Sequence, residues 1–124
     1  MPALIHTCYR VGDVDRSVAF YSSLGFEEDR RMQLPDGATN IFMAIPGDGA
    51  RLELTKNPGV DSYEIGTGYG HIAITASDLD ATLARLAEHG ITPEKPPYTV
   101  SDGGSRLCFV RDPDGYRIEL IERG

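Results

Sequence analysis

The stretch Asp48-Gly49-Ala50-Arg51-Leu52-Glu53-Leu54 returns 66 residues later as Asp114-Gly115-Tyr116-Arg117-Ile118-Glu119-Leu120. Asp-Gly, Arg and Glu-Leu coincide, and each glutamate is flanked by aliphatic residues. Working back towards the N-terminus, the match continues at an offset of 65. His6 falls on His71, Asp13 on Asp78, Asp15 on Asp80, Gly25 on Gly90 and Phe26 on Ile91. One residue of slippage over such a length is a single loop insertion, so the chain is a tandem repeat. Neither half is long enough to bury a sufficient core alone, whereas two similar units packed together are.

Each unit reads as strand, helix and three strands, an α+β pattern. In the first unit, about residues 1–56, 4–11 is rich in strand formers. Asp13 caps a helix running to Leu24, with Val14, Val18, Tyr21 and Leu24 at helical spacing and Gly25 ending it. Strands are predicted at 26–34, 39–45 and 50–56, separated by the turns Pro35-Asp36-Gly37 and Pro46-Gly47-Asp48-Gly49. In the second unit, about residues 70–124, the first strand is 70–76. Asp78 caps a helix with Leu79, Leu83, Leu86 and Ala87 on one face, and Gly90 ends it. Strands at 91–100, 105–111 and 116–122 follow, the first interrupted by prolines. Residues 57–69, with Gly59, Gly66 and Gly68, read as a connector within a single domain of 1–124.

The 124 residues are 40% hydrophobic and 25% charged, with no tryptophan. That composition excludes a disordered tail and a disulfide-dense miniprotein. No apolar run approaches the ~18 residues of a membrane span, and no signal-peptide pattern opens the chain, so a cytoplasmic protein is expected. The net charge of −7 and the absence of a basic run argue against nucleic acid as a partner. Cys8 and Cys108 are too few and too far apart for a thiolate zinc motif. Both lie in apolar strand candidates and are expected to be reduced core residues.

Side chains alternate along a strand. Leu52 and Leu54 oppose Arg51, Glu53 and Thr55, and Ile118 and Leu120 oppose Arg117, Glu119 and Ile121. With the apolar faces on the helices, His6, Glu53, His71 and Glu119 all point to the other side of their sheets. A carboxylate turned into a barrel-like interior costs several kcal/mol unless compensated. A histidine and a glutamate recurring at the same register in both units are poorly explained by packing. Two imidazoles and two carboxylates carry a formal charge that one divalent cation neutralises. The nitrogen and oxygen donors suit zinc, nickel, cobalt, iron(II) or manganese. His89, in the last turn of its helix, is assigned to the helix dipole and to no site.

These residues resemble glyoxalase I, lactoylglutathione lyase, of the vicinal-oxygen-chelate superfamily. The segments that carry the likeness are His6-Thr7 with Arg10-Val11-Gly12-Asp13, Leu52-Glu53-Leu54-Thr55 with Asn57, Tyr69-Gly70-His71-Ile72-Ala73, and Asp112-Pro113-Asp114-Gly115-Tyr116 with Ile118-Glu119-Leu120. The short chain is similar to the bacterial branch. The resemblance implies curved four-stranded sheets closing metal-binding cavities across a homodimer with shared sites. It implies one divalent metal per site, nickel or cobalt favoured and zinc possible, held by His6, Glu53, His71 and Glu119. It implies isomerisation of the methylglyoxal–glutathione hemithioacetal to S-D-lactoylglutathione through an enediolate. Glu119 and Glu53 would be the bases, and Arg10 and Asn57 would hold the γ-glutamyl end. One departure stands out: Asp102 occupies a loop position that is usually basic, with Arg106 or Lys95 as substitutes. Two alternatives stay open, another metalloenzyme of the superfamily acting on a different thiol adduct or small substrate, and a small-molecule binding protein.

Overall fold

Two aspartates start the helices. The Asp13 carboxylate accepts a bond from the Arg16 amide at 2.9 Å, opening α1, Val14–Ser23. Asp78 accepts from the Ala81 amide at 3.0 Å, opening α2, Leu79–Glu88. Each spares a backbone donor that the first helical turn leaves unpaired. Both helices end alike. The amides of Gly25 and Phe26 bond back to the carbonyls of Ser22 and Tyr21, and those of Gly90 and Ile91 to Ala87 and Leu86. Gly25 at φ 103° and Gly90 at φ 76° occupy the left-handed region that this closure needs and that a side chain would disfavour.

The computed structural model describes residues 1–124 and divides into Met1–Glu64 and Ile65–Gly124. The first unit contains β1 (His6–Arg10), α1, β2 (Glu27–Gln33), β3 (Thr39–Ala44) and β4 (Arg51–Lys56). Its four strands lie in the order β1-β4-β3-β2, with β1 parallel to β4 and the other pairs antiparallel. The second contains β5 (Ile72–Ala76), α2, β6 (Leu107–Arg111) and β7 (Arg117–Glu122), in the order β5-β7-β6 with β5 parallel to β7. This is an α+β fold of two repeated sheet units.

The second sheet has three strands rather than the expected four. Residues 91–100 form no strand and meet β6 through the bridge Tyr98–Leu107 and the Glu94 amide bond to the Phe109 carbonyl, 2.8 Å. Pro93, Pro96 and Pro97 have no N–H to donate, so a continuous ladder cannot form.

The apolar faces are buried as alternation predicts. Leu52, Leu54, Ile41 and Met43 line one face of the first sheet, and Ile118, Leu120 and Val110 one face of the second. α1 turns a different face inward than expected, whereas α2 buries Leu79 and Leu86 as expected, with Leu83 half-buried. On α1 the buried residues are Ser17, Phe20 and Tyr21, while Val14, Val18 and Leu24 are half-buried. On α2, Leu79, Thr82 and Leu86 are buried and Ala87 is exposed. Phe20, Tyr21 and Phe26 stack edge to face, and these larger rings set the rotation of α1 over the smaller valines. His89 is the C-cap residue of α2.

The connector divides between the units. Its first part folds onto unit 1, where Lys56 reaches the Val60 carbonyl and the Asp61 carboxylate, and Asn57 donates to the Tyr63 hydroxyl at 3.1 Å. Its last residue, Tyr69, donates its hydroxyl proton to the Arg117 carbonyl at 2.9 Å in unit 2.

Candidate metal centre

The parallel pair at one edge of each sheet fixes the site residues. In unit 1, Cys8 on β1 stands opposite Glu53 on β4, and Phe42 on β3 stands opposite Glu53 from the other side. In unit 2, Ala73 and Phe109 flank Glu119 in the same way. The histidine lies two residues before Cys8 or Ala73, hence on the same face. His6 Nε2 is 3.6 Å from Glu53 Oε1, and His71 Nε2 is 3.2 Å from Glu119 Oε1.

The glutamate side chains are 12% and 16% exposed, and the histidines 41% and 38%. A carboxylate so far withdrawn from water, facing an open imidazole, is a poised donor pair rather than a solvated surface charge. The nitrogen and oxygen atoms within each unit are of the kind that divalent borderline metals take. Each unit by itself supplies two such donors, and in neither do three histidine, cysteine, aspartate or glutamate side chains converge so as to hold a metal.

A phenylalanine completes each group. The His6 ring meets Phe42 edge to face at 5.7 Å and 71°, and His71 meets Phe109 at 5.1 Å and 80°. An arginine covers each phenylalanine, Arg30 at 5.1 Å and Arg117 at 3.7 Å from the ring centre. Phe42 matches Phe109 at an offset of 67, whereas the histidines align at 65 and the glutamates at 66, so the rings fall outside the repeat as those residues align it. The offset rises to 67 across this strand and returns to 66 at Asp48, which a single loop insertion does not reveal.

Other expected site residues are placed as follows. Arg10 ends β1, exposed, on the side of His6 and Cys8. Asn57 follows β4 with the parity of Glu53 and Thr55, its amide directed to Tyr63. Cys8 is exposed, contrary to its expected place in the core, because Tyr9 and not Cys8 takes the buried face of β1. Its thiol lies 3.3 Å from the Thr55 hydroxyl, which donates to Asn40 Oδ1 at 2.9 Å. Desolvation pushes the Cys8 thiol up, against the pull of the Thr55 hydrogen bond and with a smaller push from Glu53. Cys108 is buried and likewise raised by desolvation.

The two cations that could replace a basic residue at Asp102 are engaged elsewhere. Arg106 donates to both Glu122 oxygens at 3.0 and 3.1 Å and to Asp80 at 3.2 Å. The bonds to Glu122 and then Asp80 raise its guanidinium above the ordinary range. Glu122 also accepts from the Leu79 amide at 2.9 Å, so this network secures the start of α2. Lys95 lies over the Tyr98 ring at 4.1 Å. Asp102 is exposed.

Known proteins resemble this chain in sequence and in fold. Lactoylglutathione lyase of Haemophilus influenzae is 44% identical over 125 residues, covering 96% of this chain and 91% of that protein. Lactoylglutathione lyase GLX1 of Arabidopsis thaliana is 40% identical over 124 residues, covering 97% of this chain but 44% of its own length. The crystal structure of glyoxalase I from Zea mays superposes with a TM-score of 0.89 at 37% identity, over 98% of this chain and 44% of that one. The chain thus spans less than half the length of the two plant proteins. The family model described as Glyoxalase/Bleomycin resistance protein/Dioxygenase superfamily matches residues 3–120, and with it the chain belongs to that superfamily.

Proposed function

We propose that this chain is a lactoylglutathione lyase, isomerising the hemithioacetal of methylglyoxal and glutathione to S-D-lactoylglutathione. The observation that carries the proposal is the recurrence of one histidine–glutamate pair, facing the same side of the sheet at the same register, in both units. The full-length likeness to the Haemophilus influenzae enzyme supports it.

His6, Glu53, His71 and Glu119 would hold one divalent ion, with nickel or cobalt favoured over zinc. When bound, such an ion stabilises the negative charge that develops on the substrate's two vicinal oxygens and so acidifies the neighbouring C–H. The rest falls to the protein. A Glu119 carboxylate oxygen takes the proton from C1 and returns it to C2, with Glu53 as its near-symmetric partner. Arg10 and Asn57 bind the γ-glutamyl end. Arg10 supplies a guanidinium for its carboxylate, and Asn57 an amide.

Two donors per unit leave each pair in need of another. A two-fold homodimer supplies it if His6 and Glu53 of one chain face His71 and Glu119 of its partner, with an isologous interface above about 2,000 Å² in total. Mixing inactive His6→Ala chains with inactive Glu119→Gln chains tests this arrangement. In a heterodimer both lesions then share one site, the other site is intact, and activity returns. No recovery after demonstrated subunit exchange refutes shared sites. A cytoplasmic location belongs to the same proposal, as methylglyoxal is detoxified where glutathione is plentiful.

The decisive assay follows thioester formation from methylglyoxal and glutathione, on metal-free protein reconstituted with nickel, cobalt or zinc. Turnover restored by one of these metals is expected, and none with any of them overturns the proposal. Asp102 favours a second reading, a different thiol adduct, since Arg106 is bound to Glu122 and Asp80. Asp102→Lys should lower the KM for the glutathione adduct if glutathione is held weakly here. An unchanged KM favours another thiol.

A further inference from the structure

The proposed chemistry uses neither Phe42 nor Phe109, nor the arginines above them. Yet the same construction occurs in both units. The phenylalanine stands opposite the glutamate ligand on the next strand. The histidine ring is set edge-on against it. A guanidinium lies over the ring. The construction is kept in two units whose sheets differ in size.

The two constructions differ in tightness. Arg117 lies 3.7 Å from the Phe109 centre and is fixed by Glu94, which accepts from Nε at 2.9 and 3.1 Å and from the terminal nitrogen at 2.8 Å. Arg111 adds a 3.3 Å ion pair to the same carboxylate. Glu94 is itself tied down by its amide bond to the Phe109 carbonyl. A closed circuit therefore runs from Glu94 through Arg117 to the face of Phe109, whose ring meets His71. In unit 1, Arg30 lies farther off at 5.1 Å and the histidine contact is longer at 5.7 Å.

We infer that Phe109, held by Arg117 and Glu94, is a positioning residue that fixes the His71 ring towards Glu119, and that Phe42 does the same more loosely for His6. The inference rests on the proposed metal centre for its purpose and on the contacts alone for its mechanism. An imidazole confined on its flank loses little freedom on taking a metal; hydrogen-bonded outer-shell partners change affinity by about 10–100-fold, and a packing contact should act at the lower end of that range. His71 and Glu119 are then the firm half of the donor set, and His6 and Glu53 the half that yields.

The test begins with metal-free protein. Carbon-13 relaxation of the two histidine rings should report His71 as the more rigid in the unaltered chain. An equally or more mobile His71 overturns the ranking. Phe109→Leu should free the His71 ring and weaken cobalt binding, measured by calorimetry, about tenfold. Phe109→Tyr, which keeps the ring, should restore both. A Phe109→Leu protein with His71 still rigid, or a Tyr variant as impaired as the Leu variant, overturns the inference. Should Phe109→Leu fail to fold, Glu94→Ala releases Arg117 without touching the ring. It should raise His71 mobility, and unchanged mobility counts against the inference. Failure of the unaltered protein to bind cobalt refutes the metal centre, while the ring relaxation still decides the positioning.

Discussion

Unit 1 and unit 2 agree in one row of residues and part company in the next. The first row crosses the sheet as Cys8, Glu53 and Phe42 in unit 1 and as Ala73, Glu119 and Phe109 in unit 2. The second row, two residues along, reads Arg10, Thr55 and Asn40 in unit 1 but Thr75, Ile121 and Leu107 in unit 2. A polar row, tied by the Thr55–Asn40 hydrogen bond, therefore lies beside one histidine–glutamate pair, and a mostly apolar row with Leu107 buried lies beside the other. What the units share is the chemistry of a donor pair. Where they differ is in the residues that surround that pair.

The largest effect that can break this comparison is catalytic. Glu119→Gln should lower kcat by about 10²–10⁴-fold with the fold intact by circular dichroism, because an amide cannot take the proton. Glu53→Gln should cost less. Equal losses would make the two units chemically equivalent. Next come the cores. Leu54 and Leu120 are buried at equivalent places, and replacing either by alanine should cost about 2–5 kcal/mol in urea unfolding. A much smaller loss in unit 2 would mean that its missing strand leaves room to relax.

Arg10→Ala should then raise the KM for the glutathione adduct about tenfold with kcat little changed, as loss of a charge-assisted hydrogen bond does. An unaltered KM would remove the polar row from the site. Asp13→Ala and Asp78→Ala should each cost about 1 kcal/mol by thermal unfolding, since the two caps are alike. The smallest effect is acid sensitivity in unit 2. Arg117 holds Glu94, and Arg106 holds Glu122, below the ordinary carboxylate range. Stability from these pairs is complete above the unfolded value of about 4.3 and is lost as pH falls through the lowered native values. Both side chains are partly exposed, so Glu94→Gln and Glu122→Gln should each flatten the acid limb only slightly.

The tandem repeat made the fold legible because each unit corroborates the other. Asp13 and Asp78 cap, Gly25 and Gly90 terminate, and Leu54 and Leu120 face inward. Strand parity likewise put His6 with Glu53 and His71 with Glu119. What escaped depends on contacts between elements. The rotation of α1 follows from the packing of Phe20, Tyr21 and Phe26, which period counting alone does not rank. Cys8 looks apolar in composition, but Tyr9 competes for the buried side of a five-residue strand and wins. Arg106 looked available for a ligand until α2 brought Asp80 and the Leu79 amide to the same place as Glu122.

The proline-broken segment beside β6 has a consequence for how this chain behaves in company. Open sheet edges invite strands from other molecules, and a repeat protein offers more than one such edge. Here the flank of β6 is already occupied at Leu107 and Phe109 by Tyr98 and Glu94. The prolines among the occupants withhold the donors that an incoming strand would need. The same residues that deny unit 2 its fourth strand thus act as a built-in guard against polymerisation. Replacing Pro96 and Pro97 with valine would lengthen the ladder and remove that guard together.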